Sequence, residues 1–160
     1  MQVFINHIHM ISQWRKMVAY VTQMLWKSVD YDKAYWNQCV DFVRDFSASN
    51  YLPIGTFNWS AINGWNSGSP FNSHWQRVFY KPGLVPSEGD IVFFKTTTKN
   101  KYGHVAIAWT NSTADSLTIV EQNAGDGNGD GKYADAIQIA STPYRNGIRG
   151  DVAGWFTYLK

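Results

Sequence analysis

The spacing of apolar residues changes character once along this 160-residue chain, at Pro86, and that change decides the fold class. Ahead of it the regular stretches are helical. Ile8, Ile11, Val18, Val21 and Leu25 lie on one helical stripe, the pattern of an amphipathic helix resting on a core. Val40, Phe42, Val43 and Phe46 predict a second helix, opened at Cys39 and ended near Asn50, before the Pro53 and Gly55 breakers. Beyond Pro86 the chain reads as short strands separated by turns, predicted over Asp90 to Lys95, His104 to Trp109, Ser116 to Gln122, Ala136 to Ile139 and Val152 to Tyr158. Their hairpin-like spacing predicts an antiparallel sheet, and helices followed by strands predict a single α+β domain over residues 1–160. Outside these stretches the pattern is weaker. It gives a polar and aromatic loop over 28–37, a short helix from Trp59 to Trp65 stopped at Asn63-Gly64, and a loop from Ser67 to Asn72. Partial strand character at Trp75, Val78 and Tyr80 precedes a Pro82-Gly83 turn.

Composition narrows the function classes. With 44% apolar and 16% charged residues, the chain is neither disordered nor a basic nucleic-acid tail. A net charge of +2 gives no phosphate-tracking groove, so no nucleic-acid partner is expected. The single cysteine excludes an internal disulfide. The apolar run from Val3 to Leu25 is interrupted by Asn6, His7, His9, Gln13, Arg15 and Lys16, so neither a signal peptide nor membrane insertion is expected. Cytoplasmic synthesis is the expectation.

Four residues suggest chemistry. A thiol in the first turn of a helix, as at Cys39, faces the positive end of the helix dipole, which favours thiolate. His104 opens a strand after Gly103. Glu121 and Asn123, two apart on a strand, are expected side by side on one face. A thiol, an imidazole and an acceptor that orients it form the set used in nucleophilic acyl transfer. Each also has a structural explanation: a buried small hydrophobe, a satisfied strand-end histidine, a solvated strand face. Asp30, Asp32 and Asp41 offer hard oxygen ligands around the cysteine, of the kind calcium takes, against a solvated acidic loop. A His7-x-His9 pair and the Asp126 to Gly131 run are weaker metal motifs. The second lacks the bidentate Glu of an EF-hand loop, Ile137 standing in its place.

Gln38-Cys39-x-Asp41, Gly89-Asp90-Ile91-Val92-Phe93-Phe94, Tyr102-Gly103-His104-Val105 and Glu121-Gln122-Asn123, in that order, resemble the CHAP family, the cysteine, histidine-dependent amidohydrolases/peptidases common in bacteriophage endolysins. The resemblance runs from about Val29 to the C-terminus and leaves the helix within residues 1–27 outside. It implies a papain-like α+β fold with N-terminal helices packed on an antiparallel sheet. By position, Cys39 matches the nucleophile and His104 the general base and acid. Glu121 and Asn123 match the residues that orient the imidazole and polarise the site. The Cys39 backbone N–H, with the Gln38 side chain, is implied for the oxyanion. The implied substrate is bacterial peptidoglycan, cut at the muramoyl–L-alanine amide or within the stem or cross-bridge peptide, by a monomer released through a holin pore. Related domains bind one calcium, which here implies Asp30, Asp32, Asp41 and the backbone carbonyls of Ala34 and Trp36. Lys33 stands where those relatives usually have Gly, and no organic cofactor is implied. The alternative is a non-catalytic wall-binding or phage tail module on the same fold.

Overall fold

The strands expected beyond Pro86 form, and β1 joins them from before it. The computed structural model describes residues 2–34, 37–57, 60–68, 70–124 and 136–159, with side chains from residue 12 onward. Among these are α1 (Gln2–Met24), α2 (Cys39–Ser49), α3 (Ala61–Ser67), β1 (Trp75–Phe79), β2 (Ile91–Phe94), β3 (His104–Ala108), β4 (Ser116–Glu121), β5 (Gln138–Pro143) and β6 (Val152–Tyr158). The strands make one sheet in the order β1-β6-β2-β3-β4-β5, with every pair antiparallel. The α+β class is as expected.

Alternation along the central strands separates two apolar clusters. Ile91 and Phe93 of β2, Val105 and Ile107 of β3 and Val120 of β4 point to the cluster that takes Met17 and Val21 from α1 and Phe42, Val43 and Phe46 from α2. Val92, Phe94, Ala106, Ala108, Leu117 and Ile119 point the other way, against Tyr144, Val152 and Trp155. Covered on both faces, β2 and β3 are buried throughout. Tyr20 joins α1 to α2, donating its hydroxyl to Asp45 Oδ2 at 2.5 Å.

Two boundaries differ from the sequence reading, each for a local reason. The short helix runs through Asn63-Gly64 and stops at Gly68, which takes the left-handed conformation at φ 65°. Gly64 is interior because Phe57 occupies the space of its absent side chain; a Cβ there would lie 2.5 Å from Phe57 Cδ1. Trp59, where that helix was expected to start, is outside the described residues. The fifth strand covers Gln138–Pro143 rather than Ala136 to Ile139. Ile137 is held instead by α1's exit, donating to the Lys27 carbonyl (2.7 Å) and accepting from Trp26 N–H (2.9 Å). Pro143 is tolerated because β5 is an edge strand, whose outward N–H has no partner to lose.

Candidate active site

The site is assembled where the first turn of α2 meets the start of β3, two elements that pack together. Gln38 enters α2 in extended conformation, and its N–H donates to Asp41 Oδ2 at 2.9 Å, tying off the helix start. Cys39 is therefore the first helical residue, a free and half-buried thiol. On the other side, Gly103 adopts φ +69°, and a Cβ there would come within 2.8 Å of the Phe94 carbonyl oxygen. Glycine lets the chain pass this close and turn directly into β3 at His104. The turn is braced by Asn100, whose Nδ2 donates to the Gly103 carbonyl at 2.8 Å, and by α3, whose Ile62 N–H donates to the Tyr102 carbonyl at 3.0 Å.

His104 is buried, with Nε2 3.0 Å from Glu121 Oε2, which leaves Nδ1 as the nitrogen available to sulfur. Burial pushes its pKa down. Hydrogen bonds to Cys39 and Glu121 and the charges on both outweigh burial, and the imidazole is pushed up to about 9. Glu121, at the end of β4, has no exposed surface. Burial alone would raise its pKa, but His104 and Arg149 hold the carboxyl below the ordinary range. Arg149 Nε donates to Glu121 Oε2 at 2.5 Å, and its NH2 group donates to Oε1. Arg149 stands in a turn between Gly147 and Gly150, outside every sequence motif, and sequence reasoning missed it.

In the sequence Gln122 is only the middle of the Glu121-Gln122-Asn123 motif; in the structure its side chain makes three hydrogen bonds to backbone. Its Oε1 accepts from Val29 N–H at 2.7 Å, and its Nε2 donates to the carbonyls of Val29 at 2.8 Å and Gln38 at 3.0 Å. One buried amide thus clamps both ends of the loop leading into Cys39. Strand pairing ends at Glu121, and Asn123 turns at φ +55°, so the two residues do not project side by side from one strand face. The Asn123 amide nitrogen instead donates to Gln38 Oε1 at 3.1 Å, orienting the side chain expected near the oxyanion, while Asn123 Oδ1 is buried without a partner.

Asp30, Asp32 and Asp41 converge, each offering one carboxylate oxygen within 4.8 Å of the others. Burial, then the charges of Asp32 and Asp30, push Asp41 up to about 6, against the pull of the Gln38 N–H. Oδ1 of Asp30 and Oδ1 of Asp41 are buried without a hydrogen-bond partner. Orphaned anionic oxygens at this spacing suit a hard dication. Asp32 also pairs with Arg44 at 2.9 Å and accepts from Ala34 N–H at 3.1 Å. Lys33 takes φ 58°, the left-handed conformation glycine usually supplies. Trp36, the side chains of His7 and His9, and Asp126 to Gly131 are outside the described residues. A separate cavity of about 580 Å³ opens beneath α1 at the opposite end of β2, beside Trp14, Asp90 and Trp109, and is lined by none of the site residues.

Set beside known proteins, residues 29–123 match the model of the CHAP domain family. No curated protein matches the chain. Among solved structures it is similar to the crystal structure of a wild type endolysin, LysIME-EF1, with TM-score 0.69 and 22% identity, over 90% of this chain and 63% of that one. It is also similar to Ly7917, solved alone and with the hydrolyzing product of MDP, with TM-score 0.60 and 19% identity, over 90% of this chain and 62% of that one. The chain thus spans less than two thirds of the length of these structures, and the likeness at such identities is one of fold.

Proposed function

The chain belongs to the CHAP domain family, and on that premise we propose that it hydrolyses an amide bond of bacterial peptidoglycan, with Cys39 as nucleophile. The observation that carries this reading is the unbroken series from thiol to imidazole to carboxylate to guanidinium, Cys39, His104, Glu121 and Arg149, with His104 and Glu121 buried at its centre. The likeness to an endolysin and to a protein solved with a hydrolysis product agrees with it.

In this mechanism His104 takes the thiol proton through Nδ1, and sulfur attacks the carbonyl carbon of the scissile amide. The resulting oxyanion is met by the Cys39 backbone N–H at the start of α2, beside Gln38. The C–N bond breaks as His104 returns the proton to the departing amine, leaving a thioester on Cys39. Water, deprotonated by His104, attacks that thioester and regenerates the thiol. Glu121 keeps Nε2 engaged throughout, so the ring presents Nδ1 to the reacting atoms. The bond is the muramoyl–L-alanine amide or one within the stem or cross-bridge peptide.

Calcium is the ion this reading assigns to Asp30, Asp32 and Asp41. Bound there, it would supply positive charge to the unpartnered Oδ1 atoms of Asp30 and Asp41. Asp41 links this loop to the catalytic one, because it also accepts the N–H of Gln38, the residue before the nucleophile. No described helix is long and apolar enough to cross a membrane. The reading takes the protein as a monomer that reaches the wall through a pore opened by another protein.

The test is turbidity loss of a bacterial wall suspension with wild type and Cys39→Ala, each with EDTA and with added calcium. Loss of lysis in a folded Cys39→Ala protein is the expected result. Wild-type rates from that variant would remove Cys39 from the mechanism. No lysis by wild type on several wall types would favour the non-catalytic module.

A further inference from the structure

We propose that Arg149 is a positioning residue for the Cys39–His104 pair, acting through Glu121 to fix the plane and balance the charge of the imidazole. This rests on the reading of Cys39 and His104 as nucleophile and base. Arg149 lies beyond the residues that match the family, in the turn between β5 and β6. Its guanidinium grips both oxygens of Glu121, through Nε at 2.5 Å and through NH2. The two side chains are 9% and 0% exposed, so the pair is largely withdrawn from solvent. A carboxylate held at both oxygens cannot rotate about its own axis. The ring bonded to Oε2 at 3.0 Å is then fixed as well, with Nδ1 turned toward sulfur.

The charges lead to the same assignment. A buried carboxylate with no cation of its own would be neutralised by His104 alone, and would hold the imidazole proton more tightly still. With Arg149 already balancing Glu121, His104 can pass its proton between sulfur and the departing amine. The turn that delivers Arg149 is built for the purpose. Asn146 N–H donates to Asp151 Oδ1 at 2.9 Å, Gly150 N–H to the Gly147 carbonyl at 3.0 Å, and Lys95 N–H to the Asp151 carbonyl at 2.8 Å. Gly150 holds φ +97°, and a Cβ there would come 2.4 Å from the Lys95 oxygen. These bonds anchor the turn to the end of β2, where Phe94 pairs with His104.

The experiment compares wild type, Arg149→Ala, Arg149→Lys and Cys39→Ala on purified peptidoglycan, and follows the His104 titration by NMR in a Cys39→Ala background. Arg149→Ala is expected to lower kcat roughly 100-fold, the scale of a misplaced catalytic group, with KM within about twofold. Guanidinium in solution should restore part of that rate. Arg149→Lys should fall between, since one ammonium cannot take both oxygens. The His104 titration should move upward when Arg149 is removed, because the ring then faces an uncompensated carboxylate. Losses that only track the unfolded fraction, with no guanidinium effect and an unmoved His104 titration, would overturn the proposal. If Arg149→Ala does not fold, the same comparison is made on Arg149→Lys. If wild type shows no Cys39-dependent hydrolysis, the hydrolase reading fails, and the His104 titration alone decides the assignment of Arg149.

Discussion

Gln122 gives the sharpest test of how the nucleophile is held. Its side chain has no exposed surface and makes three hydrogen bonds, one accepted and two donated, to the backbone at Val29 and Gln38. Gln122→Ala removes all three. At a net value of about 1 kcal/mol each, the loss is about 3 kcal/mol before any cost of the void. For a domain of this size each kcal/mol moves Tm by roughly 2–4 °C, so a drop of roughly 6–12 °C is expected. Gln122→Glu separates hydrogen bonding from packing. It keeps the volume but sets a carboxylate oxygen against the carbonyls of Val29 and Gln38, where Nε2 now lies at 2.8 and 3.0 Å. At neutral pH it should lose at least as much as Gln122→Ala. Burial and those two oxygens raise the new carboxyl's folded pKa, so the folded state binds the proton more tightly. The deficit should therefore shrink as pH falls through that value, when a protonated carboxyl donates again. Thermal unfolding by circular dichroism from about pH 4 to about pH 8 reads both effects. A Gln122→Glu protein that melts within about 2 °C of wild type at pH 7, where roughly 6 °C or more is expected, would falsify the clamp.

Other outcomes follow from the same geometry. The folded imidazole of His104 titrates near 9 against an ordinary 6.5, so its stabilising contribution is complete below about 6.5 and lost as pH rises through about 9. That gap is on the order of 3 kcal/mol, and urea midpoints should fall over this range in wild type but stay flatter in His104→Gln; parallel profiles would count against the pairing. Calcium should raise Tm by mass action, and Asp30→Asn should abolish the rise. An equal rise in Asp30→Asn would place the ion elsewhere. Lys33→Gly should add roughly 1 kcal/mol by relieving the left-handed φ, and should enlarge the calcium-dependent rise by removing a cation from beside the carboxylates. A smaller rise would refute that account of Lys33.

Cys39, His104 and Glu121 were legible because scarce chemical residues at element ends stand out against an apolar period. Their order also matched a motif set, and the structure brings all three together. Asn123 was legible as a residue but not as a contact. Two-residue periodicity holds only while the strand continues, and this one ends two residues earlier. Arg149 was not legible at all. Its partner is 28 residues away in sequence, and their meeting depends on how β5 leads the chain into the next turn. Gln122 shows the same limit, since a polar residue on a strand reads as solvent-facing until the loop that covers it is known. The α3 boundary failed because Asn63-Gly64 is a local stop signal, overridden here by the ring of Phe57 against Gly64. The α+β class depended on none of these details, only on periods that many residues share.

The strand order has a consequence for how such a protein comes into being. β6, the last of the described strands, lies between β1 and β2 and pairs with both. Until it emerges during synthesis, β1 has no neighbour and β2 presents a bare edge, although Cys39, His104 and Glu121 have already been made. An open edge of this kind invites pairing with other chains, and long-range closure of this kind is slow. The sheet therefore completes in one late step rather than by gradual growth. A cut or stop ahead of Val152 would therefore leave a divided sheet, with β1 unpaired and the β2 edge prone to associate.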